Sequence, residues 1–98
     1  MKVIDRTLSG STPGDSLGRR FLQARMHRAV SRKEAAEAIG ISAGQLGKIE
    51  RGGVQMVSEP STIIRAANLY GVPQVWLYCG SAGGSRFVPD WYSVAEAA

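Results

Sequence analysis

Apolar residues recur along the middle of the chain at helical spacing. Leu17, Phe21, Ala24 and Met26 mark the buried side of a first helix, which Ser16 can cap and which runs to about residue 28. Farther on, Ile63, Ala66, Ala67 and Tyr70 fall on one stripe of a helix that opens at Pro60 or Ser61 and ends at Gly71. A last short helix opens at Pro73, a favoured first-turn residue, and stops before Gly80.

Between these lies the most informative stretch, residues 32–51. Ser31 is followed three residues later by Glu34, a capping box in which hydroxyl and carboxylate each satisfy an orphan backbone N–H, with Val30 and Ala35 as a weak staple. The device repeats at Ser42 and Gln45, where Ile41 and Leu46 stand at staple positions. The two helix starts are therefore eleven residues apart. Gly40 between them can take the left-handed conformation that ends a helix without a Cβ penalty. Ala36 is small where close backbone approach demands it, and Ile39, Leu46 and Ile49 supply a shared core. Two capped helices joined by a tight turn make a helix-turn-helix, a motif whose usual work is reading DNA.

The segment resembles the helix-turn-helix of the phage repressor and Cro family, within the lambda-repressor-like domains. The likeness runs from about residue 17 to 80 and is carried by Ala36, Gly40, Leu46, Ile49, the KIERG run at 48–52 and VPQVWLYCG at 72–80. It implies an all-α fold, a compact five-helix domain over residues 16–80. The preceding residues 1–15, rich in Ser, Thr, Gly and Pro, read as a flexible N-terminal arm. Residues 81–98 begin as a Gly/Ser linker and end in an aromatic tail.

The resemblance also implies roles. The start of the third helix is expected to face the major groove, placing Ser42, Ala43, Gly44, Gln45 and Lys48 nearest base edges or adjoining phosphates, with Arg32 and Arg51 on the DNA backbone. Here the chain departs from a rich reader. Ala43, Gly44 and Gly47 offer no hydrogen-bonding side chain, and each of the two glycines costs the helix about 1 kcal/mol relative to alanine. Direct readout then rests on Gln45, which can pair with adenine unless the capping box holds its amide, and on Lys48, which can reach guanine. The loop from Gly53 to Glu59 has no Lys or Arg, so no phosphate contacts are expected from it. Arg25 lies one turn after Phe21 and Glu50 one turn after Leu46, so both leave mainly apolar faces; the family carries a buried bridge at the matching positions.

Charge sharpens this picture through its distribution. Residues 19–51 hold eight basic and three acidic side chains, whereas the rest of the chain holds four and five. A basic face of this kind attracts phosphate backbones and makes binding salt-dependent. The chain has 98 residues, of which 44% are hydrophobic, enough for one modest core. Its apolar runs are far below a membrane span and no signal peptide's apolar stretch opens it, so a cytoplasmic protein is expected. The single Cys79 cannot make an internal disulfide and reads as a packing residue. No metal or cofactor is expected, and without a nucleophile–base pair or phosphate-binding glycine loop the chain reads as a non-enzyme. His27 is expected to be exposed and Trp76 to lie in the core.

These readings lead to a regulator that binds a near-palindromic operator in double-stranded DNA as a homodimer, in the manner of a Cro-like or repressor-like phage protein. In a second reading the domain is an antitoxin or other protein-binding module that holds its partner through the tail. Phe87, Val88, Trp91 and Tyr92 form the tail's apolar cluster, able either to fold back or to meet a second chain.

Overall fold

Each helix of the motif begins where a serine accepts a backbone N–H. In a computed structural model, which describes residues 15–53, 59–80 and 86–93, five helices follow in order: α1 (Leu17–Arg28), α2 (Arg32–Ile39), α3 (Ala43–Glu50), α4 (Pro60–Tyr70) and α5 (Gln74–Cys79). Residues 1–14 of the expected arm, 54–58 of the loop, 81–85 of the linker and 94–98 of the tail lie outside the described residues. Ser16 Oγ accepts the Arg19 N–H at 3.1 Å. Both capping boxes close reciprocally: Ser31 with Glu34 at 3.0 and 3.1 Å, and Ser42 with Gln45 at 3.0 and 2.9 Å. Gly40 ends α2 at φ 92° and ψ 27°, its N–H and that of Ile41 both reaching the Ala36 carbonyl. The chain thereby reverses within two residues, and α3 crosses α2.

The helices enclose one core in a compact all-α fold. α1 lies against α3 and α5, and α2 against α3 and α4, with α4 on α5. Phe21, Ile39, Leu46, Trp76 and Leu77 are fully buried at its centre. Two boundaries differ from the sequence reading. Met26 is 64% exposed, because two residues beyond Ala24 it stands about 200° around the helix from the buried stripe. Pro73 precedes rather than opens α5, holding φ −66° and ψ 142° while its carbonyl accepts from the Leu77 N–H at 3.0 Å.

Glycine permits the tightest helix contact. A Cβ on Gly18 of α1 would stand 2.5 Å from the Ile49 carbonyl oxygen and 2.9 Å from that of Glu50, so α1 can approach the end of α3 only without one.

Two arginines, Arg20 buried and Arg25 partly buried, then fasten α1 to its neighbours. Arg25 donates from Nε to Glu50 Oε2 at 2.8 Å and from Nη2 to Oε1 at 3.2 Å, a bidentate pair whose carboxylate is 1% exposed. A third donation, Arg25 Nη1 to the Val30 carbonyl at 3.1 Å, ties the turn after α1. The Glu50 carboxylate holds the Arg25 guanidinium's pKa above its ordinary value. Tyr70, whose ring meets Phe21 edge-on, also has a raised pKa, first through burial and then through the Glu50 charge.

The second arginine, Arg20, reaches the other way. It donates to Asp15 Oδ1 at 2.6 Å and to the carbonyls of Leu77 and Tyr78 at 2.9 Å each, capping the C-terminal end of α5 with a positive charge. Tyr92 donates its hydroxyl to the same Asp15 oxygen at 2.7 Å. Burial and that hydrogen bond raise the Tyr92 pKa above the ordinary phenol value. Trp91 and Tyr92 meet Trp76 edge-on at centroid distances of 5.8 and 5.1 Å, and Trp91 stacks on His27 at 4.7 Å. Gln23 brackets Ser93, donating to its carbonyl and accepting its N–H.

Two outcomes follow from this packing. Gly18→Ala gains about 1 kcal/mol of helix propensity but presses a methyl on two fixed carbonyls, so thermal denaturation should show a net loss of about 2 kcal/mol. Arg25→Ala and Glu50→Ala should each cost about 3 kcal/mol, and the double variant less than their sum, since each single change strands a buried charge. Small, additive losses in denaturant titrations would show two independent surface charges instead.

Candidate nucleic-acid interface

The outward side of α3 is shaped as much by missing side chains as by present ones. Ser42, Ala43, Gly44, Gln45 and Lys48 are all exposed along its first two turns. The Ser42 hydroxyl accepts the Gln45 N–H, and the Gln45 side-chain oxygen accepts the Ser42 N–H. A glutamine so engaged cannot offer both its oxygen and its amide nitrogen to an adenine edge, the pairing that makes glutamine specific. Gly44 would meet only the Ser42 hydroxyl if it bore a Cβ, so the start of the helix is smooth and open.

Gly47 is buried although it lies on the same side of the helix, and what covers it are two arginine side chains. A Cβ at this position would stand 3.0 Å from Arg51 Nη1 and 3.6 and 3.7 Å from Arg32 Cδ and Nε. Arg51, the residue that caps α3, thus sends its guanidinium back along the helix by one turn. Arg32, the first residue of α2, reaches over from the other side of the turn. The two cations converge over the middle of α3, while Lys48 lays its stem against Gly53.

Glu50 fixes one of the pair. Arg32 Nε donates to Glu50 Oε1 at 3.3 Å while the side chain stays 44% exposed, so the buried carboxylate holds the arginine's root and leaves its far edge in solvent. One carboxylate therefore serves α1 through Arg25 and the outward face through Arg32. Beyond Arg51 a cleft of about 300 Å³ separates the start of α1 from the end of α3, lined by Ser16, Arg19, Gln23 and Gly52.

Of the charges that sequence reasoning assigned to a basic face, Arg20 is turned inward and Arg25 is mostly covered. Arg20 is one of the eight basic residues between 19 and 51, and two of its three partners, the carbonyls of Leu77 and Tyr78, lie far along the chain, with Asp15 the third. The glycine in the first helix was the available signal for Gly18, since a glycine inside a helix usually marks close packing. Of the four tail residues, Trp91 and Tyr92 are half-buried against the chain's own core, whereas Phe87 and Val88 are exposed. Phe87 still meets Trp76 edge-on at 6.0 Å. Trp76 is buried, His27 is exposed beneath Trp91, and Cys79 is half-buried and free. Among the described residues no group of three or more His, Cys, Asp or Glu side chains is placed to hold a metal, and no helix is long and apolar enough to cross a membrane.

Comparison with curated proteins and with solved structures finds no match. The pattern of the helix-turn-helix domain family matches residues 16–76, from the cap of α1 through Trp76 of α5 and more than half of the chain, and the protein belongs to this DNA-binding family.

Proposed function

We propose that the protein is a sequence-specific transcriptional regulator of the Cro-like or repressor-like kind, acting in the cytoplasm on a near-palindromic operator as a homodimer. The observation that carries this reading is the exposed, nearly bare first half of α3, followed by Arg32 and Arg51 converging over Gly47 and by the exposed Lys48. Such a surface is shallow enough for a helix to enter the major groove of about 12 Å and positive enough to hold the phosphates on either side. Binding rather than catalysis is the work this surface suits.

The homodimer rests on a further argument. A single short helix reads few base pairs, and helix-turn-helix proteins gain specificity by placing two such helices about 34 Å apart. A second copy has two exposed apolar patches to meet. One is Phe87 and Val88 of the tail. The other is Ile64 and Val75, which flank a groove of about 330 Å³ between α4 and α5 that Ile63 and Tyr78 also line. Exposure of Phe87 and Val88 likewise favours the second reading, in which the tail holds a different protein, as an antitoxin holds its toxin.

Selecting duplexes from a random DNA pool tests the central reading, and a protein that enriches no sequence would refute it. Replacing Arg32, Lys48 and Arg51 together with alanine should leave the fold intact, abolish binding at moderate salt and flatten the slope of log affinity against log salt by about 1 to 3 units, least where the arginines meet bases rather than phosphates. Deleting the whole tail would be a poor test of dimerisation, because it also uncovers Trp76. Val88→Glu and Ile64→Glu change one patch each. Sedimentation equilibrium should show that one of them turns a dimer into a monomer and weakens operator binding in parallel. If the unaltered protein sediments as a monomer even with operator bound, the homodimer is refuted; if it does so in free solution and retains a heterologous partner lost in Val88→Glu, the antitoxin-like reading replaces it.

A further inference from the structure

The third helix of this protein lacks the side chains that a reading helix ordinarily carries to base edges. Ala43, Gly44 and Gly47 have none that can hydrogen-bond, Ser42 and Gln45 are engaged with each other, and only Lys48 remains. The two arginines that converge over Gly47 come from outside the middle of α3; a Cβ there would press on Arg51 Nη1 at 3.0 Å and lie in ordinary contact with Arg32 at 3.6 and 3.7 Å. Among the described residues, the side-chain donors of Arg51 and the two Nη groups of Arg32 have no hydrogen-bond partner, while Arg32 Nε is held by Glu50.

We propose that Arg32 and Arg51, lying across the Gly47 saddle, are the residues that determine sequence preference by reading guanine edges in the major groove. The inference rests on the DNA-binding reading above and adds to it which groups choose the sequence. The guanidinium edge left open on Arg32 is the two-donor fork that fits the N7 and O6 acceptors of guanine. Anchoring its Nε on Glu50 removes much of the rotamer freedom that an unconstrained arginine loses on binding, so the fork is aimed before DNA arrives. Arg51 is aimed differently, by lying back along α3 over a residue with no side chain to displace it. Glu50 is then a positioning residue: buried and 1% exposed in its side chain, it touches no DNA, yet it sets where Arg32 points. Gly47 is the second positioning residue. Alanine there would improve helix propensity, so the glycine costs the helix stability and what it provides is room.

The experiment begins with a duplex selected from a random pool by the full-length protein, and with a scrambled duplex of the same length and composition. Arg32→Gln, Arg51→Gln and Gly47→Ala are each put through the same selection, and their affinities for both duplexes are measured at one salt concentration. Arg32→Gln and Arg51→Gln should each lose about tenfold or more on the selected duplex, with a much smaller loss on the scrambled one, and re-selection should change a guanine to adenine at one position of the half-site. Gly47→Ala should melt no lower than the unaltered protein, yet weaken the preference at the guanine that Arg51 reads, leaving the one read by Arg32 unchanged. Losses equal on both duplexes, with the selected sequence unchanged, would overturn the proposal and leave the two arginines as phosphate contacts. Gly47→Ala that keeps the full preference would overturn the role of the saddle. An unaltered protein that enriches no duplex would instead refute the DNA-binding reading itself, which separates that failure from this one.

Discussion

The Glu50 carboxylate is the interaction on which most of the molecule depends. It is buried at the end of α3, and a buried carboxylate is tolerated only when its charge is compensated and its oxygens are hydrogen-bonded. Arg25 supplies both from α1, and Arg32 adds a third donor from the start of α2. Three helices are thereby referred to a single anion. Because an isolated buried charge costs several kcal/mol, an arrangement in which α1 or α2 swings away from α3 is penalised far more than loss of apolar contact alone would require. The anion therefore specifies the crossing of the helices, while Phe21, Leu46 and Trp76 provide the bulk of the burial.

α1 acts as a strut with an arginine at either side. Arg20 and Arg25 are five residues apart and so point about 140° from each other around the helix. One reaches α3 through Glu50; the other reaches Asp15, the carbonyl end of α5 and, through Asp15, the hydroxyl of Tyr92. Gly18 sits between these functions, since its bare Cα lets the start of α1 rest on the final carbonyls of α3. The second cluster has a different consequence from the first. It gathers the tail onto the body, so Trp91 and Tyr92 extend the aromatic packing around Trp76 and belong to the same core as the five helices.

How much of this was legible in the sequence depended on the distance between partners. Capping boxes join residues three apart, so Ser31 with Glu34 and Ser42 with Gln45 could be read directly, and with them the starts of α2 and α3. Gly40 and Gly71 marked helix ends for an equally local reason, the left-handed backbone that a Cβ opposes. Met26 was misplaced because it is apolar and one residue away from a helical neighbour position, and hydrophobicity alone does not fix angle around a short helix. Arg20 was out of reach for another reason: beside Asp15, which precedes the helix, two of its three acceptors are backbone carbonyls 57 and 58 residues away, which any sequence could supply. The Arg25 and Glu50 pairing came from family resemblance, since the apolar faces on which they lie indicate only that each needs a partner. Nothing local indicated that Gly47 is covered by arginines, because a glycine carries no record of what occupies the space it leaves.

The same contacts change what the basic composition means. Of the eight basic residues between 19 and 51, Arg20 and Arg25 are drawn into ion pairs inside the fold, and Arg32 shares a carboxylate even at the surface. The field that a phosphate backbone meets is therefore weaker than the formal charge suggests, and weaker non-specific attraction follows, because that attraction scales with the cations able to displace counterions. For a DNA-binding domain this is useful. Discrimination is the ratio of specific to non-specific affinity, and a genome offers an enormous excess of competing sites. Sequestering arginines in structural pairs lowers the denominator, and it leaves Arg51 and the open Nη edge of Arg32 at the surface of α3 for the directed contacts proposed above. On the reading proposed above, a helix almost empty of hydrogen-bonding side chains can then serve in a selective protein, because the buried glutamate holds Arg32 at its surface.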